Sequence, residues 1–176
     1  MASESLAKFS VLLRYQLYEC NVHQFPVSQE LSYLENFVEL QKLRQDGNVE
    51  LTFQIERPVN NNLAVTPFIF MPFVENAFNH VSQDKHTCNW ISMNLSFEKR
   101  QLILKISNSV SKENKASTDA VSYHGIGLKN VQRRLDLLYP GMHALKIGRD
   151  NNQFEVSLSL ELAEQSVVKY ETMQMV

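Results

Sequence analysis

The chain has little that would mark a secreted, membrane-spanning or nucleic-acid-binding protein. Its two cysteines, Cys20 and Cys88, stand far apart and fit no metal-ligand spacing. Both read as small buried hydrophobes in a reducing compartment. No apolar run approaches the roughly 20 residues that a bilayer requires, and no signal peptide opens the chain. The expectation is a soluble, cytoplasmic domain, with any membrane anchor in a longer parent protein. Neither charge sign dominates: 17 Lys and Arg stand against 19 Asp and Glu, a net charge of −2. That balance favours no nucleic-acid or anionic-membrane partner. Internal repeats and low-complexity tracts are also missing. What is present, 176 residues at 44% hydrophobic, suffices for the core of one domain with a helical appendage.

The first part of the chain has helical periodicity. Leu6, Phe9, Leu13 and Leu17 recur at spacings of three and four, with Leu12 and Tyr15 beside them, which predicts a helix over 3–20. Asn21 to Pro26 is a polar break, because Pro26 cannot continue a helix. A second helix is expected to start with Ser28 as N-cap and Glu30 in its first turn. Leu31, Leu34 and Val38 form one stripe on it, and Tyr33, Phe37 and Leu40 an adjacent one. Asp46-Gly47-Asn48 is its stop signal. Faces this wide need a partner, either the rest of the chain or a second subunit.

From residue 49 the period changes from 3.6 to 2. Val49, Leu51, Phe53 and Ile55 alternate with polar residues, as do Ile91, Met93, Leu95 and Phe97. A polar turn at Glu98 to Arg100 joins the latter run to Leu102, Leu104 and Ile106, a hairpin pattern. A final pair comprises Leu145 and Ile147, then Phe154 through Leu162 after Asp150-Asn-Asn152. Two helices lie between the strands, at roughly 67–81 and 127–139; Leu128, Val131, Leu135 and Leu138 face one way on the second. The fold class that follows is α/β: a two-layer sandwich with a mixed sheet, preceded by an α-helical hairpin. Residues 111–124 are polar and aperiodic, the pattern of a lid or a disordered loop.

Two stretches carry chemistry. On the helix expected at 67–81, Glu75, Asn76, Asn79 and His80 share an arc of roughly 140°, opposite Phe70, Val74, Ala77 and Val81. A carboxamide oxygen such as that of Asn76 suits Mg²⁺, and Asn79 and His80 can donate to phosphate oxygens. The alternative is an amphipathic helix whose polar face is merely solvated. The second stretch is Gly125-Ile-Gly-Leu-Lys-Asn130. Glycines allow close approach to the backbone, and a helix starting near Gly127 points free N–H groups and partial positive charge at any anion there. An ordinary loop-to-helix transition is the alternative here, although the aperiodic segment just upstream would be a lid hinged at Gly125 and Gly127.

The order and spacing of these stretches resemble one family. Phe73-Val-Glu-Asn-Ala-Phe-Asn-His80 resembles the N box of the GHKL ATPases, and Gly125-Ile-Gly-Leu-Lys-Asn-Val-Gln-Arg-Arg-Leu135 their last glycine box. Leu12–Glu19, Glu30–Arg44 and Arg134-Leu-Asp-Leu-Leu-Tyr-Pro-Gly141 are similar to the LytS-like branch of sensor histidine kinases. The likeness runs from about residue 6 to 162. It implies the Bergerat-type ATP-binding fold over 48–162, a remnant of the dimerisation and phosphotransfer region over 1–47, and a tail at 163–176. It also implies ATP and Mg²⁺ as cofactors. Asn76 would be the metal ligand; Asn79, His80, Gly125, Gly127 and Leu128 would contact phosphates, with Lys129 and Asn130 nearby.

Three departures qualify the resemblance. Where the family has an Asp that accepts from the adenine amino group, this chain has Asn108, a neutral and weaker acceptor. Where hydrolytic members have a catalytic Glu, four residues before the metal Asn, it has Pro72, which favours a kinase over an ATPase. None of His23, His80, His86, His124 and His143 has the context of the family's phosphoacceptor, which is therefore expected upstream. The resemblance implies the ATP-binding part of a two-component kinase, with a membrane-anchored parent and a response regulator, of LytTR type, as partner. The N-terminal helices would offer a route to a homodimer. A scaffold module signalling without phosphotransfer is the competing expectation, and Asn108 is its main support.

Overall fold

The computed structural model describes residues 24–44, 48–84, 86–111, 126–150 and 152–165. The helix expected over 3–20 lies outside them, as do the stop signal around Gly47 and most of the expected lid. Five long strands form the main sheet: β2 (Val49–Ile55), β4 (Asn89–Glu98), β5 (Gln101–Ser109), β6 (His143–Arg149) and β7 (Gln153–Glu161). Their spatial order is β2-β4-β5-β7-β6. Only β2 and β4 are parallel; the other neighbours are antiparallel, so the sheet is mixed as expected.

The period of two decides which face is dry. Ile91, Met93 and Leu95 on β4, Leu102, Leu104 and Ile106 on β5, and Val156, Leu158 and Leu160 on β7 are all buried. The residues between them, among them Ser92, Asn94, Lys105 and Ser157, face the other side and are exposed or half-exposed. Three helices cover the dry face: α1 (Val27–Arg44), α2 (Met71–His80) and α3 (Ile126–Leu138). One continuous core takes in Leu31, Leu34 and Val38 of α1, Phe73, Val74 and Ala77 of α2, and Leu128, Val131 and Leu135 of α3. Burying this much apolar side chain, at about 1.5–3 kcal/mol each, is what holds the two layers together.

A second, small sheet was not legible in the sequence. β1 (Phe25–Pro26), β3 (Leu63–Val65) and β8 (Ala163–Glu164) pair in the order β1-β3-β8. Leu63 and Val65 are fully buried. Because Phe25 and Pro26 pair with Val65 and Ala64, the chain passes directly from strand to helix. Helix α1 therefore starts at Val27, and Ser28, expected as its N-cap, sits in its first turn instead. The Ser28 carbonyl accepts from Ser32 Oγ at 2.9 Å and from Arg57 Nη1 at 3.2 Å. At the other end, Leu63 and Ala64 pair with Glu164 and Ala163, two residues past the point where the sequence pattern ends the α/β region.

Candidate functional site

Helix α2 presents the arc that its sequence promised. Val74 and Ala77 are fully buried, whereas Glu75, Asn79 and His80 are exposed and Asn76 is half-buried at the border. Pro72 falls in the first helical positions, where its missing N–H costs nothing. Among the described residues the Asn76 carboxamide has no hydrogen-bond partner. It is thus a free oxygen donor at the edge of the core.

The carboxyl end of α2 is knotted to the end of β5. Val81 caps the helix by donating its N–H to the Ala77 carbonyl at 3.0 Å, and the next amide, Ser82, donates to the Ser109 carbonyl at 2.8 Å. Asn108, fully buried on β5 between Ile91 and Phe154, completes the knot. Its Nδ2 donates to the carbonyls of Ser109 at 3.0 Å and His80 at 3.4 Å. Those two acceptors fix the orientation of the amide, since a carbonyl cannot face a carbonyl. The consequence is chemical: Asn108 Oδ1 is left buried with no partner. An orphaned buried acceptor costs about 1–3 kcal/mol. The structure therefore brings the Asn108 amide to the backbone carbonyl of His80, whose side chain is exposed.

Two further polar residues at this end of the sheet were missed by sequence reasoning. Ser109 Oγ accepts from the Trp90 N–H at 3.0 Å, and Asn89 Nδ2 donates to the Asp84 carbonyl at 2.9 Å. Asn89 Oδ1 is the other buried orphan among the described residues. No periodicity signals these positions, because their partners lie on a neighbouring strand or in the preceding loop rather than along the same strand.

Helix α3 supplies the second half of the predicted site. Leu128 is buried and directs the helix onto the core, while Gly127, Lys129 and Asn130 in the same turn are exposed. A Cβ built on Gly127 would meet nothing within 4 Å. Packing among the described residues thus does not require glycine there. Gly125 lies outside the described residues. Helices α2 and α3 pack on each other.

An open depression of about 420 Å³, lined by Trp90, Asp150, Asn152 and Gln153, contains none of the residues singled out from the sequence. Asp150 closes the turn between β6 and β7, its Oδ1 accepting from the N–H groups of Asn152 and Gln153 at 2.9 and 3.0 Å. Those two backbone donors hold its carboxyl below the usual carboxylate value. Among the described residues no group of three His, Cys, Asp or Glu could hold a metal ion. Nor is any helix among them long and apolar enough to cross a membrane.

Comparison with known proteins was then informative. A family model described as GHKL domain matches residues 62–161, and one described as histidine kinase matches residues 1–49. The sensor protein LytS of Staphylococcus saprophyticus is 26% identical over 167 residues, which cover 90% of this chain and 28% of that protein. The sensor protein kinase HptS of Staphylococcus aureus is 24% identical over 163 residues, covering 87% of this chain and 30% of that protein. This chain therefore spans under a third of the length of these relatives. Among solved structures, the histidine kinase domain of the blue-light activated kinase of Erythrobacter litoralis superposes with a TM-score of 0.54 at 13% identity, covering 91% of this chain and 74% of that one. Full-length ShkA in complex with AMPPNP gives 0.56 at 12% identity, covering 93% of this chain and 36% of that one.

Proposed function

The chain belongs to the GHKL domain family, and from that premise we propose that it is the catalytic ATP-binding domain of a two-component sensor histidine kinase, passing the γ-phosphate of Mg·ATP to an acceptor histidine. In this reading residues 48–162 are the nucleotide-binding unit and 1–47 belong to the dimerisation and phosphotransfer region. The phosphoryl group then moves to a response regulator, of LytTR type, and the parent protein is anchored in the membrane.

The observation that carries the reading is the buried, unpartnered Oδ1 of Asn108. The adenine amino group is a neutral donor of the kind this oxygen lacks. The carboxamide also answers the scaffold alternative, which rested on Asn108 replacing an Asp. Its NH₂ is committed to two carbonyls, and the oxygen is left over for a base. An ionised Asp would set its charge against those same carbonyls.

The phosphates belong at the first turn of α3, where Gly127 leaves the backbone open and Lys129 and Asn130 are exposed. Asn79 and His80 donate from the facing arc of α2. Mg²⁺ fits this donor set as a phosphate-bound ion that takes one protein oxygen, from Asn76, and keeps its waters. When bound, the ion would neutralise charge that develops on the transferring phosphoryl group. The chain's own contribution is to orient the triphosphate and exclude water from it. Pro72, at the start of α2, has no group that could activate water, which suits transfer over hydrolysis.

Calorimetric titration of the purified chain with ATP, with and without Mg²⁺, tests the proposal. Metal-dependent binding that Asn76→Ala abolishes, with the thermal unfolding midpoint unchanged, is the expected result. Absence of binding at millimolar ATP would return the protein to the scaffold reading.

A further inference from the structure

The stretch Arg134 to Gly141 matches no step of nucleotide chemistry, yet its side chains make the most directional contacts of α3. The Tyr139 hydroxyl accepts from the Thr66 N–H at 2.8 Å and donates to Thr66 Oγ1 at 3.1 Å. Both residues are buried, at 7% and 8% exposure. Arg134 Nη2 donates to the Pro67 carbonyl at 2.7 Å. Thr66 and Pro67 are not an arbitrary anchor. Ile69 and Phe70, both fully buried, follow them, and the Phe70 carbonyl accepts the first amides of α2, from Phe73 and Val74. The segment that α3 grips is thus the one that seats the helix bearing Asn76.

We propose that Arg134 and Tyr139 are positioning residues of the nucleotide cleft: they clasp α3 to the Thr66–Pro67 segment and so set where its phosphate-facing turn stands relative to Asn76. This inference rests on the nucleotide-binding reading above. The packing of Leu128, Val131 and Leu135 against the core is apolar and non-directional, so by itself it tolerates small tilts and rotations. Hydrogen bonds do not tolerate them. Arg134 lies within α3 and Tyr139 just past its last residue, its N–H still on the Leu135 carbonyl, so the two tethers hold the helix at separate points and together resist rotation about its axis as well as tilt. Arg134 stands seven residues from Gly127 and Tyr139 twelve, so the lever from the far end of the clasp is about 18 Å along the axis. Over that lever a tilt of about 5° displaces the phosphate-facing turn by about 1.5 Å, and misplacements of this order are costly to function.

A third contact steadies the same end. His143 donates Nδ1–H to the Tyr139 carbonyl at 2.8 Å, and its Nε2 lies 3.3 Å from Asp136 Oδ1. It ties α3 to β6, whereas the clasp supplies the hydrogen bonds between α3 and the segment leading into α2.

The test uses the full chain with Tyr139→Phe, Arg134→Gln and Arg134→Lys. Each is titrated with Mg·ATP by calorimetry and with adenosine by ligand-detected NMR, after thermal unfolding shows a folded protein. Adenosine engages only the Asn108 end of the cleft, whereas ATP also needs the α3 turn. The expected result is a loss of about tenfold or more in Mg·ATP affinity for Tyr139→Phe and Arg134→Gln. Adenosine affinity should stay within about twofold, and Arg134→Lys should recover part of the loss. Parallel loss of both ligands would overturn the proposal, because it would mark a purely structural role. Unchanged Mg·ATP affinity in both variants would overturn it too, with the nucleotide site itself intact. If the unmutated chain binds neither ligand, the nucleotide reading falls and the positioning role with it. Should Arg134→Gln unfold, Tyr139→Phe, which keeps the ring packing, decides alone.

Discussion

Helices α2 and α3 flank the same face of the sheet but are held in opposite ways. Helix α2 is fixed at the functional end: its last residues are tied to β5 through Ser82 N–H to Ser109 and Asn108 Nδ2 to His80. Helix α3 is fixed at the far end, by Tyr139, Arg134 and His143, while Gly127, Lys129 and Asn130 stand exposed in its first turn. The Asn108 end of α2 is therefore tied down by hydrogen bonds, whereas the first turn of α3 is tethered only through the rest of its helix.

Substitutions can break this contrast. The largest effect is expected for Asn108→Asp, which buries a carboxylate against the His80 and Ser109 carbonyls. A loss of about 3–5 kcal/mol at neutral pH is expected by urea denaturation. Burial would raise that carboxyl's pKa in the folded state, so the loss should shrink as the pH falls toward about 4 and the group takes up a proton. A pH-independent loss would mean that the carbonyls do not fix the amide.

Leu135→Ala empties a fully buried position beneath α3 and should cost about 2–5 kcal/mol. If α3 is held mainly by apolar packing, Mg·ATP binding fails with the fold; if by the clasp, binding in the still-folded fraction persists. Ser109→Ala sharpens the other side of the comparison. It leaves the Trp90 N–H without its acceptor at the end of β5 and should cost about 1–2 kcal/mol, measured by chemical denaturation, with adenosine binding weakened more than the phosphate contribution.

The smallest effect is expected at Asp150, in the β6–β7 turn away from both helices. Its folded-state pKa lies below the usual 3.8 because of two backbone donors. Its contribution is present above the unfolded value and is lost as the pH falls through the folded one. Asp150→Asn should flatten that acid limb of the stability curve and leave nucleotide affinity unchanged; a change in affinity would extend the site to the depression beside Trp90.

Much of this was legible in the residues. The 3.6 period around Val74 and Ala77 named the buried side of α2 correctly, and the alternation in Ile91–Leu95, Leu102–Ile106 and Phe154–Leu160 identified the dry face of each strand. These are local properties, set by which residues repeat along one element. Two expectations about ends went differently. Ser28 was expected to cap the helix but sits in its first turn, because the pairing of Phe25 with Val65 draws the chain in earlier. Ala163 and Glu164 were grouped with a tail, yet they pair with β3. Two-residue strands carry no period, so only their distant partners reveal them.

The residues alone determined the two-layer α/β class, the faces of its elements and the candidate residues Asn76, Asn108 and Gly127, since period and chemistry are written along the chain. Tertiary structure alone decided that Asn108 keeps a free acceptor, because its nitrogen is occupied by the neighbouring Ser109 carbonyl together with the His80 carbonyl, 28 residues away. It alone joined Tyr139 to Thr66, 73 residues apart in sequence. Hydrogen bonds are short-ranged and directional, and no pattern along a chain specifies which distant groups will meet.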